Sequence, residues 1–114
     1  MHTSSIGSGA EVLAVDLLRD HGLVVIERNF RCKAGELDIV AAEGDTLVFV
    51  EVRSRGDDRH GSAIDAIGVA KRRQVARVAA YYLALRVPAF TQCRFDVVAI
   101  TAGCAEHLRD AWRP

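Results

Sequence analysis

The order of hydrophobic periodicities predicts an α/β domain in which a mixed, four-stranded sheet is flanked by helices. Two segments repeat near 3.6 residues, Ser8 to His21 and Val69 to Arg86, and the segments between them alternate with period two. Short connections join the first three strand-like segments, as an antiparallel meander requires. The long second helix then supplies the crossover that a parallel fourth strand, Arg94 to Thr101, needs. With 114 residues the chain is expected to form one domain over 9–114 behind a flexible N-terminus at 1–8. That length is enough to bury roughly two thirds of the unfolded surface.

The first helix opens with Ser8 and Glu11 in capping-box spacing and stops at Gly22. Ala10, Leu13, Ala14, Leu17 and Leu18 form its apolar stripe, and Glu11 projects between Leu18 and Val15 at the stripe's edge. Glu11 either closes the capping box or brings a carboxylate toward the strands. Leu23 to Phe30 reads as the first strand and leads into a basic stretch with Arg28, Arg31 and Lys33.

Gly35 to Arg55 reads as a β-hairpin turning at Gly44-Asp45. On its first arm Leu37, Ile39 and Ala41 share a face; on the second, Val48, Val50 and Val52 oppose Leu47, Phe49, Glu51 and Arg53. Pairing residue 43 with residue 46 places Asp38 opposite Glu51 and Glu36 opposite Arg53. Opposed carboxylates on a sheet, with Cβ atoms about 4.5–5.5 Å apart, repel. A divalent cation such as magnesium or manganese would neutralise them, and so would a shared proton or an arginine clamp.

Ser54 to Ser62 is a polar loop carrying Arg55, Arg59 and His60, and a helical turn is expected over Ala63 to Ile67. In the long helix Val75, Ala79, Tyr82 and Leu83 are expected to face the sheet, with Arg73, Gln74, Arg77 and Tyr81 outward. Lys71, Arg72, Arg73 and Arg77 make a basic cluster suited to phosphates, although such runs are often only solvated faces. Arg94 to Thr101 is apolar enough to be an interior strand, and Ala105 to Trp112 is expected to close the domain as a short helix anchored by Leu108, Ala111 and Trp112.

The formal net charge is zero, which excludes a histone-like blanket binder but leaves room for a local basic face. No apolar run reaches membrane length and no basic-then-apolar leader opens the chain, so a cytoplasmic protein with no membrane partner is expected. Cys32, Cys93 and Cys104 are odd in number and widely spaced, which disfavours a disulfide scaffold or a zinc site.

The ordered set Glu11, Arg28-Asn29-Phe30-Arg31, Gly35-Glu36-Leu37-Asp38, Phe49-Val50-Glu51-Val52-Arg53, Lys71, Ala80-Tyr81-Tyr82-Leu83 and Arg94-Phe95-Asp96-Val97-Val98 resembles the YraN family over Gly9 to Trp112. That family is assigned to the restriction-endonuclease-like superfamily, and its layout is similar to that of archaeal Holliday-junction resolvases, which are metal-dependent homodimers. The resemblance implies a restriction-endonuclease-like fold and a DNA endonuclease acting on branched or structured DNA. It implies that Asp38, Glu51 and the Val52 carbonyl hold Mg²⁺ or Mn²⁺, that Glu11 assists through water, and that no small-molecule cofactor is used. Catalytic residues would be Glu11, Asp38, Glu51 and Arg53; DNA contacts would come from Arg28, Arg31, Lys33, Arg55, Lys71, Arg73, Gln74 and Arg77. A homodimer is the assembly suggested by the resolvases.

One departure stands out, because the superfamily position usually held by lysine is Arg53 here. Arginine stays charged at every working pH and cannot serve as a general base. The sequence therefore leaves two readings: a metal-dependent nuclease, or a DNA- or partner-binding module with an impaired site in which Arg53 salt-bridges Glu36, Asp38 or Glu51. On the sequence, weak cleavage with intact metal and DNA binding is expected, and Arg53→Lys should increase it.

Overall fold

The computed structural model describes residues 8–55 and 67–114. In chain order these form α1 (Ser8–Asp20), β1 (Val24–Cys32), β2 (Gly35–Glu43), β3 (Thr46–Arg55), α2 (Val69–Arg86), β4 (Gln92–Thr101) and β5 (Cys104–Trp112). The strands make one sheet in the order β1-β2-β3-β4-β5, antiparallel except where β3 runs parallel to β4 across the α2 crossover.

Each helix covers one face. Ala14, Val15 and Leu18 of α1 pack with Ile39, Ala41, Val48, Val50 and Val98, whereas Val75, Val78, Ala79 and Tyr82 of α2 pack with Leu37, Val40, Phe49, Phe95 and Trp112. The central strands are therefore sandwiched between two apolar layers, which is why they carry near-continuous apolar runs. On α1, Leu13 is 40% exposed although the expected stripe included it, and Val15 is buried in its place. On α2, Leu83 is likewise turned outward and Val78 takes its position.

The sheet has five strands rather than the expected four, because Cys104–Trp112 is a strand and not a helix. A two-residue turn with positive φ at Ala102 and Gly103 returns the chain along β4, and β5 supplies hydrogen-bond partners to an edge that would otherwise be bare. The helical reading came from the spacing of Leu108, Ala111 and Trp112. A bulge produces that spacing: Leu108 pairs with Val97 and Trp112 with Phe95, so four steps on β5 span two on β4. Trp112 is then stacked on Phe95 with ring centres 4.2 Å apart.

Among the described residues no helix is long and apolar enough to cross a membrane. The expected flexible N-terminus, the Ser8 side-chain cap, the Arg55, Arg59 and His60 side chains and most of the Ala63 to Ile67 turn lie outside the described residues.

Candidate active site

The hairpin register is the expected one where the two arms meet, from Glu43 opposite Thr46 to Ile39 opposite Val50. The ladder ends there. Leu37 packs under α2 whereas Ile39 and Ala41 pack under α1, so β2 changes face at Asp38 and the three do not share a side as expected. At this break Asp38 Oδ2 accepts the backbone N–H of Val52 at 2.8 Å, taking the place of the next ladder bond. The expected pairing of Glu36 with Arg53 is not formed, because Glu36 lies opposite Arg31 on β1 and their side chains meet at 3.2 Å.

Glu51 follows from β3 on the α2 side of the sheet and is only 3% exposed. Burial first, and then repulsion from Asp38, push its carboxyl up to about 7, against the opposing pull of Lys71 and Arg53. Asp38 is raised in the same way, by burial and then by Glu36 and Glu11, while the Val52 N–H and Lys71 oppose the rise. Glu51 Oε1 lies 3.7 Å from Lys71 Nζ. Glu51 Oε2 is buried and has no hydrogen-bond partner among the described residues, which costs about 1–3 kcal/mol or more for a charged group.

Lys71 belongs to this site and not only to a phosphate-binding cluster. It stands in phase with Val75, Val78 and Tyr82, so it projects under the helix toward the sheet. That lysine on an apolar stripe was the legible signal for its place. Gln74 is turned inward too, not outward: its Oε1 accepts from Lys71 Nζ at 3.4 Å and its Nε2 donates to the Ala34 carbonyl at 3.2 Å. Gly35 makes room for it, since a Cβ there would sit 2.7 Å from Gln74 Nε2.

Glu11 reaches the opposite flank of the site from α1. It accepts from Arg28 Nη2 at 2.9 Å, and Asn29, held at a left-handed φ of +58°, places its side-chain amide between Glu11 and Glu36. Glu11 acts on Asp38 through the field. Of the expected DNA-contact residues, Arg28 and Arg31 are thus engaged by carboxylates, Lys33 lies over the Tyr81 ring, and Arg73 and Arg77 have no ion pair among the described residues. Arg55's side chain is outside them.

A second buried acid provides the comparison that distinguishes a structural carboxylate from this one. Asp96, on β4, receives Arg94 Nε and Nη2 at 2.8 and 2.9 Å, His107 Nε2 at 2.7 Å and the Asp110 N–H at 2.9 Å. Burial alone would raise its pKa, but the hydrogen bonds from His107, Arg94 and Asp110 outweigh it and hold the carboxyl below its usual range. Arg94 continues to Glu43, and His107 meets His21 at 2.8 Å between their Nδ1 atoms. Asp96 is fully satisfied; Glu51 is not.

The family model described as uncharacterised protein family UPF0102 matches residues 10–100. A UPF0102 protein of Cupriavidus metallidurans is 48% identical over 113 residues, covering 96% of this chain and 82% of that protein. One from Moorella thermoacetica is 47% identical, covering 82% of this chain and 78% of its own, and one from Caldicellulosiruptor saccharolyticus is 41% identical, covering 96% and 93%.

Proposed function

The chain belongs to the uncharacterised protein family UPF0102, the YraN family, and from that premise we propose that Asp38, Glu51 and Lys71 form the site of a metal-dependent DNA endonuclease with a restriction-endonuclease-like fold. The observation that carries this reading is the unsatisfied buried oxygen of Glu51 beside a second raised carboxyl. A protein that needed these acids only for stability would pair them, as it pairs Asp96.

The donor set fits a hard divalent cation. Among the described residues no group of three or more His, Cys, Asp or Glu is placed to hold a metal ion, so the protein would offer only two carboxylates, Asp38 and Glu51, and the Val52 carbonyl. Mg²⁺ and Mn²⁺ suit such a site because they are held by few carboxylates and keep several waters. When bound, the ion would acidify a water and stabilise negative charge on a phosphodiester.

The chain's own residues do the rest. The Val52 N–H fixes the Asp38 rotamer. The Lys71 ammonium, held by Gln74, faces Glu51 and can meet a phosphate oxygen at the same edge. This supplies a lysine that the Glu51-Val52-Arg53 stretch lacks, and it reaches the acids from α2 instead of from β3. Arg53 adds positive potential at Glu51 and can orient phosphate, and Glu11 can orient water from the α1 flank.

Purified protein incubated with linear, flapped and four-way DNA in Mg²⁺, Mn²⁺ or EDTA tests the reading. Products should form only with metal, vanish in Glu51→Gln, and fall on the order of 10²-fold in Lys71→Met. If no substrate is cut while DNA still binds, the chain is a binding module and the catalytic reading fails.

A further inference from the structure

Along the outer side of α2, away from the acid pair, Val69, Ala76 and Pro114 floor a groove of about 400 Å³ whose rim carries Arg73, Arg77 and Arg113. The volume lies within the range of about 300–1,000 Å³ typical of ligand sites. Arg72 also lines it, with its Nε held by the Ile67 carbonyl at 2.9 Å. Arg113 is tied to Asp110 at 2.8 Å on the surface.

The positive charge that α2 brings to this groove has no acidic counterpart on the helix itself. The chain as a whole is neutral, yet α2 contains Lys71, Arg72, Arg73, Arg77 and Arg86 and no acidic residue. Arg73 and Arg77 are four residues apart on one face, where like charges repel. Neither has an ion pair among the described residues. The first turns of a helix also carry partial positive charge, so three consecutive cations there are disfavoured twice over. An anion in the groove relieves both costs.

The floor narrows the choice of anion. A bare phosphate would gain nothing from Val69, which is 61% exposed, or from Ala76 and Pro114. A nucleotide would use both parts, with phosphate on the arginines and the base face on the apolar floor, where guanidinium groups can also stack. A base inside a duplex presents only its edges, because its faces are stacked on neighbours. The groove therefore suits an unpaired strand.

We infer that this groove binds one nucleotide of single-stranded nucleic acid on the face of α2 turned away from the acid pair. The groove and Lys71 share the first turns of α2, with Arg72 about 100° around the helix from Lys71 and the other lining residues farther round. A strand that rounds the first turn of α2 from the groove would reach Lys71 and Glu51 on the other side. The inference rests on nucleic acid being the substrate, as proposed above, and it gives branched or flapped DNA a reason to be preferred: such DNA has unpaired nucleotides beside a phosphodiester.

Binding is measured by fluorescence anisotropy in EDTA, so that cleavage plays no part, using a labelled single strand, its duplex and the same strand with abasic sites. The single strand should bind at least fivefold tighter than either. Arg73→Gln with Arg77→Gln should weaken it at least tenfold and lower the salt slope by about 1.4, which is two contacts at about 0.7 each. Val69→Glu, at an exposed position, should weaken single-strand binding without altering the melting temperature. A nucleoside monophosphate at millimolar concentration should compete with the strand, and inorganic phosphate at the same concentration should not. Equal affinity for the abasic strand, unchanged binding in the double variant, or competition by inorganic phosphate as strong as by the mononucleotide would each overturn the inference. Loss of single-strand binding in the double variant with no cleavage of any DNA would leave the groove intact and reject the nuclease reading; metal-dependent cleavage with unchanged binding would do the reverse.

Discussion

Glu51→Gln should make the protein more stable at alkaline pH, although it removes a charge that faces a lysine. Glu51 has an ordinary value of 4.5 and is raised to about 7 in the folded chain, first by burial and then by Asp38. Between these values the unfolded chain has lost the proton and the folded chain keeps it, so stability falls as pH rises through this window. The contribution is complete below about pH 4.5 and gone above about pH 7. At about 1.4 kcal/mol per tenfold change, ionising the folded site costs up to about 3 kcal/mol. Glutamine is isosteric and does not ionise, so it escapes this cost. Urea titrations of both proteins at pH 4.5, 6 and 8 give the difference directly, and taking the difference cancels the titration of groups unaffected by the change. The expected gap is near zero at pH 4.5 and about 3 kcal/mol in favour of the variant at pH 8, or roughly 10 °C in melting temperature at this chain length. A gap that does not grow with pH, or a variant less stable than wild type at pH 8, would show that Glu51 is satisfied by neighbours and would remove the main support for a metal site.

Other parts of the structure give further expected outcomes. Gly35→Ala places a methyl 2.7 Å from Gln74 Nε2 and 3.3 Å from Val78 Cγ2 at a φ of +141°, so it should cost about 1–3 kcal/mol by urea denaturation and reduce cleavage by displacing Gln74 from Lys71. Asp96→Asn should cost about 1.5–3 kcal/mol at neutral pH, because it removes the charged acceptor that Arg94 and His107 share while Arg94 keeps Glu43. The Asp96 carboxyl is depressed, so its contribution is present above about pH 4 and lost as pH falls through the folded value; the difference between wild type and variant should shrink in acid. Arg53→Lys should change Mg²⁺-dependent cleavage less than about threefold, since Lys71 already stands at Glu51. A large gain would return the site to the impaired form that Arg53 suggests on the sequence alone.

Local signals were sufficient for much of this molecule. The limits of α2 were legible because Val75, Ala79 and Tyr82 repeat on one face and Pro88 bars continuation. The hairpin register followed from Gly44-Asp45, where Gly44 takes the positive φ of +59° that the turn requires. Asp38 and Glu51 could be named from that register, but not the break in β2 that turns Asp38 onto the Val52 N–H. Glu36 was drawn to Arg53 on the hairpin alone, whereas β1 brings Arg31 closer from the other side. β5 was misread because its bulge imitates helical spacing. The Asp96 network had no local signature, since Glu43, Arg94, Asp96, His107 and His21 come from β2, β4, β5 and the end of α1, and only the closed sheet brings them together.

The most direct test of the central claim is calorimetric titration of Mn²⁺ into the protein at pH 8, where Glu51 is ionised. The wild type should take up one ion per chain, Asp38→Asn and Glu51→Gln should each abolish uptake, and Asp96→Asn should leave it unchanged. Absence of Mn²⁺ binding in the wild type, or binding that survives loss of both Asp38 and Glu51, would contradict the assignment of this acid pair as a metal site.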